Sequence, residues 1–186
     1  MSTVTTDART DVIYQEDIVK SSGARMALAA LRIVTGFYFL WAFLDKLFGL
    51  GFSTPGERAW INGGSPTAGY LAGATADDVN NPFKPLFEFF LGWGTLADII
   101  FMAGLLGIGV AVLLGAGLKI AAIAGTLLVG FMWLSQFPLT RGGSNPILTS
   151  HWLESLAMIV SATTLAGDTW GVGKIWGRMV GNGWLR

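Results

Sequence analysis

Between residues 89 and 140 the chain carries only two charged side chains, Asp98 and Lys119. An apolar stretch of that length limits what the backbone can do. In hydrocarbon every N–H and C=O must find its partner within the protein, so such segments cross a bilayer as helices or closed barrels. Charges elsewhere gather in residues 7–32, 45–88 and 168–186, and the apolar intervals between them are helix-sized. A crossing takes about 20 mostly apolar residues for roughly 30 Å of hydrocarbon. Four stretches qualify: Met26 to about Phe43, Thr95 to Gly115, Ile120 to Phe137, and Ile147 to Gly167. The expected fold class is all-α: an integral membrane four-helix bundle with a long outer loop holding short interfacial helices. Its parts are an N-terminal tail (1–25), a membrane domain (26–167, outer segment 51–94) and an interfacial C-terminal segment (168–186).

Charge sets the expected orientation. Four crossings return both termini to one side, which carries Arg9, Lys20, Arg25, Lys119, Lys174, Arg178 and Arg186. The other side has Lys46, Arg58, Lys84 and Arg141. Excess Lys and Arg marks the cytoplasmic face, so the chain reads as multi-pass in the cell membrane with both termini cytoplasmic. The lipid bilayer is its first partner. A formal net charge of zero gives no reason to expect nucleic acid.

Small residues form stripes for close packing, Gly107–Ala111–Gly115 in the second stretch and Ala121–Gly125 in the third. Asp45 and Lys46 fall where the first helix leaves the bilayer, as an interfacial anchor that keeps the outer mouth polar. In the outer segment, TPGE (54–57) begins a short helix stopped by the glycines at 63 and 64, and SPTAGYLAGA begins another. A break at Gly92–Gly94 separates an aromatic interfacial piece, Leu86–Leu91, from the second crossing. Together these pieces make a lid over the bundle's outer mouth. Lys174, Ile175, Arg178 and Met179 place basic and apolar faces on a C-terminal helix lying along the cytoplasmic leaflet. Arg32, near the cytoplasmic end of the first crossing, is expected to snorkel or to pair with Asp168.

Polar groups that can meet in the outer half are Asp45, Lys46, Glu88, Asp98, Arg141, His151 and Glu154. His151 and Glu154, three residues apart, share a helix face. An acid roughly 10 Å into a crossing needs a proton or a partner, for which Lys46 and Arg141 are candidates. Two readings stand side by side. One is a hydrogen-bonded network fixing helix register. The other is a catalytic group of His151, Glu154 and Lys46, with a histidine suited to proton transfer at a quinone oxygen. Arg141, Asp98, Trp60 and Trp152 are then substrate-binding candidates, although tryptophans near an interface are also ordinary anchors. With one histidine and no cysteine, no haem, metal or Fe–S site is evident.

The order of LRIVTGFYFLWAFLDKLFGLGF, AWINGGSPTAGYL, FMAGLLGIGVAVLLGAGLKIAAIAG, SNPILTSHWLESLAMI and GDTWGVGKIW resembles the DoxX/DoxD-like family of four-helix membrane proteins. That family includes the large subunit of thiosulfate:quinone oxidoreductase. The resemblance implies a quinone-reducing subunit of a thiosulfate-oxidising system, with quinone as substrate and a second subunit or membrane redox complex as partner. The alternative is a non-catalytic accessory or anchoring subunit of a larger respiratory assembly; a homo-oligomer is also open. Relatives often carry a glutamate about ten residues before the glycine that ends the second crossing, where this chain has Leu105.

Overall fold

A computed structural model describes residues 12–77, 80–137 and 147–186, and among these every regular element is helical. The elements are α1 (Gln15–Ile18), α2 (Ser22–Phe48), α3 (Ala68–Thr75), α4 (Lys84–Leu91), α5 (Thr95–Leu114), α6 (Leu118–Ser135), α7 (Ser150–Thr163) and α8 (Gly173–Val180). Short 3-10 turns lie at Gly56–Arg58, Trp60–Asn62 and Ala166–Asp168. Three helices, α2, α5 and α6, are long and apolar enough to cross a membrane. The fourth apolar stretch is a helix only over the 14 residues of α7, or about 21 Å. Helix α2 is longer than its sequence reading. Ser21 accepts from the amide of Ala24 at its start, and Gly49, at φ 65°, ends it.

The packing of α2 on α5 depends on two glycines. A Cβ on Gly109 would sit 2.7 Å from the Leu40 amide nitrogen, and one on Gly36 would overlap the backbone at Leu113. Backbones in contact gain dispersion that lipid cannot replace. Gly125 similarly receives the Met158 sulfur of α7, while Thr126 and Ser155 join hydroxyls at 2.8 Å. The stripe expected through Gly107 is in the wrong phase, since a Cβ there meets open space. Phe39, Met102, Ile108, Val112, Val129 and Met158 fill the space between these helices. Leu105 belongs to the same core, at 3% exposure.

One end of the bundle closes around Arg32, which neither snorkels nor pairs with Asp168. It is fully buried and donates to the carbonyls of Val112, Leu113, Ala166, Thr169 and Trp170. The C-terminal turn of α5 and the chain after α7 thus find their missing donors in one guanidinium. Leu165 and Trp170, at φ 50° and 52°, bracket this wrap in left-handed backbone. Such conformations persist where surrounding bonds over-determine them. Asp168 instead accepts from Arg186 at 3.0 Å and from the Gln15 amide at 2.8 Å. The described start of the chain therefore lies against its C-terminal segment, and Lys174–Glu16 at 2.8 Å adds an exposed ion pair.

Replacing Arg32 with Met should lower unfolding free energy in detergent by roughly 2–4 kcal/mol, because several buried acceptors lose their donor. Gly36→Ala and Gly109→Ala should each cost about 1–3 kcal/mol through overpacking. Gly107→Ala should be neutral or slightly stabilising, since alanine is the better helix former. Denaturant titration followed by circular dichroism measures all four variants.

Candidate functional site

At the end of the bundle opposite Arg32, two buried carboxylates organise the chain between α2 and α5. Asp45, 1% exposed, accepts from the amides of Phe52 and Ser53 at 3.2 and 3.0 Å and from the Ser53 hydroxyl at 2.6 Å. It turns the chain after α2 rather than lining an open mouth. Asp98, in the first turn of α5, accepts from the Ser65 hydroxyl at 2.8 Å and the Thr67 amide and hydroxyl at 3.0 and 2.7 Å. Negative charge is favoured at that helix end, and its bonds tie the start of α3 to α5. The turns between them differ in detail from the sequence reading, because Pro55 precedes the first 3-10 turn instead of opening a longer helix.

Helices α3 and α4 then fold over α6. Leu71, Ala74 and Phe87 form a second small core with Phe90, Phe131 and Leu134. Phe87 and Phe90 meet the Phe131 ring at 4.8 and 5.0 Å, within the spacing at which aromatic pairs attract. Asn81 fastens the lid by donating to the carbonyls of Leu134 and Ser135, both at 3.1 Å. These are the acceptors that the end of α6 leaves unpaired. As the sequence led us to expect, α4 stops at Leu91 and α5 starts at Thr95, with Gly94 at φ 52° in the break.

The lid does not lie flat. Between α3 and α4 on one side and α5 and α6 on the other is a half-open cleft of ≈ 250 Å³. Its walls include Tyr70, Phe90, Trp93, Phe101, Leu128 and Phe131, together with the exposed Ile100 and Leu127. Leu127, on a helix long and apolar enough to cross a membrane, is 69% exposed. The lining is almost wholly apolar. Its size falls just below the about 300–1,000 Å³ of sites that hold drug-sized ligands.

None of the described residues named from sequence lines this cleft. Asp98 supports it from behind through Thr67, a wall residue. Trp60 packs on the main core. Trp152 stacks edge-on to Trp133 at 5.7 Å. His151 and Glu154 do come together: Nδ1 and Oε2 are 3.5 Å apart, and the side chains are 12% and 13% exposed. Tyr38 of α2 acts on the same carboxylate. Thr149 Oγ1, His151 Nδ1 and Glu154 Oε1 are buried without hydrogen bonds. No ion pair joins Lys46 to this group among the described residues, and Arg141 lies outside them. Tyr70, by contrast, escaped the sequence reading, although it is the lone aromatic among the small residues of SPTAGYLAGA.

Among the described residues no group of three His, Cys, Asp or Glu side chains can hold a metal ion. No family model, curated protein or solved structure matches the chain.

Asp98→Ala should free the Ser65–Thr67 strap and destabilise the protein by about 1.5–3 kcal/mol, as expected when hydrogen bonds to a charged group are lost. Limited proteolysis in detergent should then cut residues 64–80 faster than in the parent. Asp98→Asn keeps an acceptor oxygen and should lie between the two.

Proposed function

We propose that this chain is a four-span, DoxX-like protein of the cell membrane that holds the ring of a prenylated quinone in the cleft beneath α3 and α4. The cleft itself carries the reading. It is aromatic, only slightly smaller than ordinary ligand sites, and half-open with the exposed Ile100 and Leu127 in its walls, where an isoprenoid tail can stay in lipid. Among the described residues its lining offers no carboxylate, imidazole or cation, which favours holding a quinone over reducing it. That chemistry suits the accessory role, in which a partner subunit of a respiratory or redox complex supplies the electrons.

The fourth span is supported by the meeting of the chain's two ends. Gln15 bonds Asp168, and a chain whose ends share one face must cross an even number of times. With α2, α5 and α6 as three crossings, α7 is the fourth, its exposed Leu153, Leu156 and Ile159 facing lipid. Its short length calls for flanking residues or local thinning of the bilayer. The described end bearing Lys20, Arg25, Lys119, Lys174, Arg178 and Arg186 is the cytoplasmic one under the positive-inside rule.

A second reading is favoured by Thr149 Oγ1 and Glu154 Oε1, buried without hydrogen bonds beside the His151–Glu154 pair. Buried polar groups without partners are uncommon in native structures, and water or a ligand is a frequent reason. Here His151 and Glu154 would move protons while two thiosulfates join through a new S–S bond. The two electrons released and two protons would convert quinone to quinol.

Purification in mild detergent followed by lipid extraction and mass spectrometry tests the first reading. About one prenylated quinone per chain is expected, and Ala97→Trp, which fills the cleft from α5, should remove it. A parent protein with no quinone above the level of bulk lipid would overturn it. The second reading requires thiosulfate-dependent quinone reduction that falls at least about tenfold in His151→Gln and Glu154→Gln. Turnover indifferent to both substitutions would sink it.

A further inference from the structure

Helix α8 is inverted relative to an ordinary surface helix, which turns its apolar side to the protein and its polar side to water. Gly173 and Gly177, one turn apart, are its buried residues. A Cβ on the first would collide with the backbone of Gly167 and Asp168, and one on the second would come within 2.9 Å of the Arg186 guanidinium carbon. About half a turn away, Ile175 and Met179 stand 63% and 73% exposed. The small residues thus face the protein and the large apolar ones face away from it. Trp184 and Leu185 are exposed as well, and the Trp176 indole donates to the Leu185 carbonyl, which holds that segment beside the helix.

The surroundings of α8 decide what covers this face. The Val172 amide donates to the Leu114 carbonyl at 2.9 Å, and Lys119 Nζ donates to the carbonyls of Asn182 and Gly183 at 3.3 and 2.9 Å. The chain on both sides of α8 is therefore fastened to the turn between α5 and α6, two helices long and apolar enough to cross a membrane. The same end is basic. Lys174 and Arg178, one turn apart, flank the exposed apolar face, and Lys20, Arg25 and Lys119 lie at the same end. Among the described residues only Lys174 of these five has a carboxylate partner, the exposed Glu16. Asp168, buried beneath α8, is already paired with Arg186.

We infer that the outward face of α8 docks on anionic phospholipid, with Ile175, Met179 and Trp184 entering the boundary between headgroups and acyl chains while Lys174 and Arg178 meet lipid phosphates. The inference rests on reading the chain as a membrane protein whose basic end is cytoplasmic, and it is independent of what the cleft holds. Interfacial helices bind through buried apolar area together with attraction to acidic lipid. Each basic residue near an anionic surface is worth about fivefold in affinity. The glycine face makes the arrangement possible, because it lets α8 press on Asp168 and Arg186 and keeps every large apolar side chain for the lipid side.

The test uses the full chain in nanodiscs of mixed phosphatidylcholine and phosphatidylglycerol. The chain has no cysteine, so Met179→Cys carries a single fluorophore, and Ile123→Cys, on the exposed side of α6, reports on the bilayer itself. Both labels should be quenched by doxyl-labelled lipid and protected from acrylamide in water. Lipid retained through mild detergent should be enriched in phosphatidylglycerol at least about threefold over the input, as attraction by two cations allows. Lys174→Gln with Arg178→Gln should remove most of that enrichment and leave the melting temperature unchanged, since an exposed ion pair contributes little. Acrylamide quenching at 179 with lipid quenching at 123 would overturn the docking surface and leave the membrane reading standing. A label at 179 shielded from both quenchers would also overturn it, with a protein or a second copy as the occupant. Equal retention of the two lipids, or enrichment unaltered in the double variant, would overturn the preference for anionic lipid. Absence of lipid quenching at both positions would overturn the membrane reading too.

Discussion

A guanidinium with no water around it must be surrounded by acceptors, and the architecture follows from where Arg32 finds them. Its partners are backbone carbonyls from the end of α5 and from the turn after α7. One side chain therefore fixes three helices against one another. Satisfying five carbonyls also explains why Gly115 is a glycine. At φ 79° it lies against Gly167, and a Cβ would come within 2.5 Å of that residue's Cα and 3.3 Å of the Arg32 guanidinium carbon. The charge, the left-handed residues and the glycines form a single solution to the problem of capping helices in a dry interior.

The opposite end solves a related problem with the other sign of charge. Asp45 and Asp98 are buried carboxylates that gather amides and hydroxyls from loop residues, so irregular backbone is held by side chains where helix is absent. This anchoring lets α3 and α4 stand over the bundle as a lid instead of collapsing onto α5. Polar chemistry and apolar cleft are consequently separated. The walls of the cleft belong to α3–α6, whereas His151 and Glu154 lie on α7 and meet α2 through Tyr38.

Much of this order is legible in the sequence, for physical reasons that differ by element. Helices α5 and α6 announce themselves because uncharged stretches of that length have few other fates. The break at 92–94 follows from two glycines and an excess of helix. The aromatic run in α4 marks a lid, though it does not reveal which helix receives it. What the sequence could not show were partners distant along the chain. Arg32 bonds residues 80 to 138 positions away, and an arginine near a membrane face gives no sign of choosing carbonyls over solvent. Asp98 is a substrate-binding candidate as one of the polar groups that can meet in the outer half, and nothing in the sequence marks Ser65 and Thr67, over 30 positions away, as its partners. A stripe of small residues does not carry its own phase, so the pattern through Gly107 does not point to Gly36 and Gly109 as the contact glycines.

The dispersal of the Arg32 partners also sets an order in time. The arginine lies in α2, while three of its five acceptors, at 166, 169 and 170, are synthesised 134 to 138 positions later. Until they arrive, the growing chain holds a cation with only the two α5 carbonyls to meet it. Closure of the bundle thus waits on synthesis of that segment, and a chain that stops short of Ala166 retains an under-coordinated buried charge. The same contact that rigidifies the finished protein marks an unfinished one as incomplete.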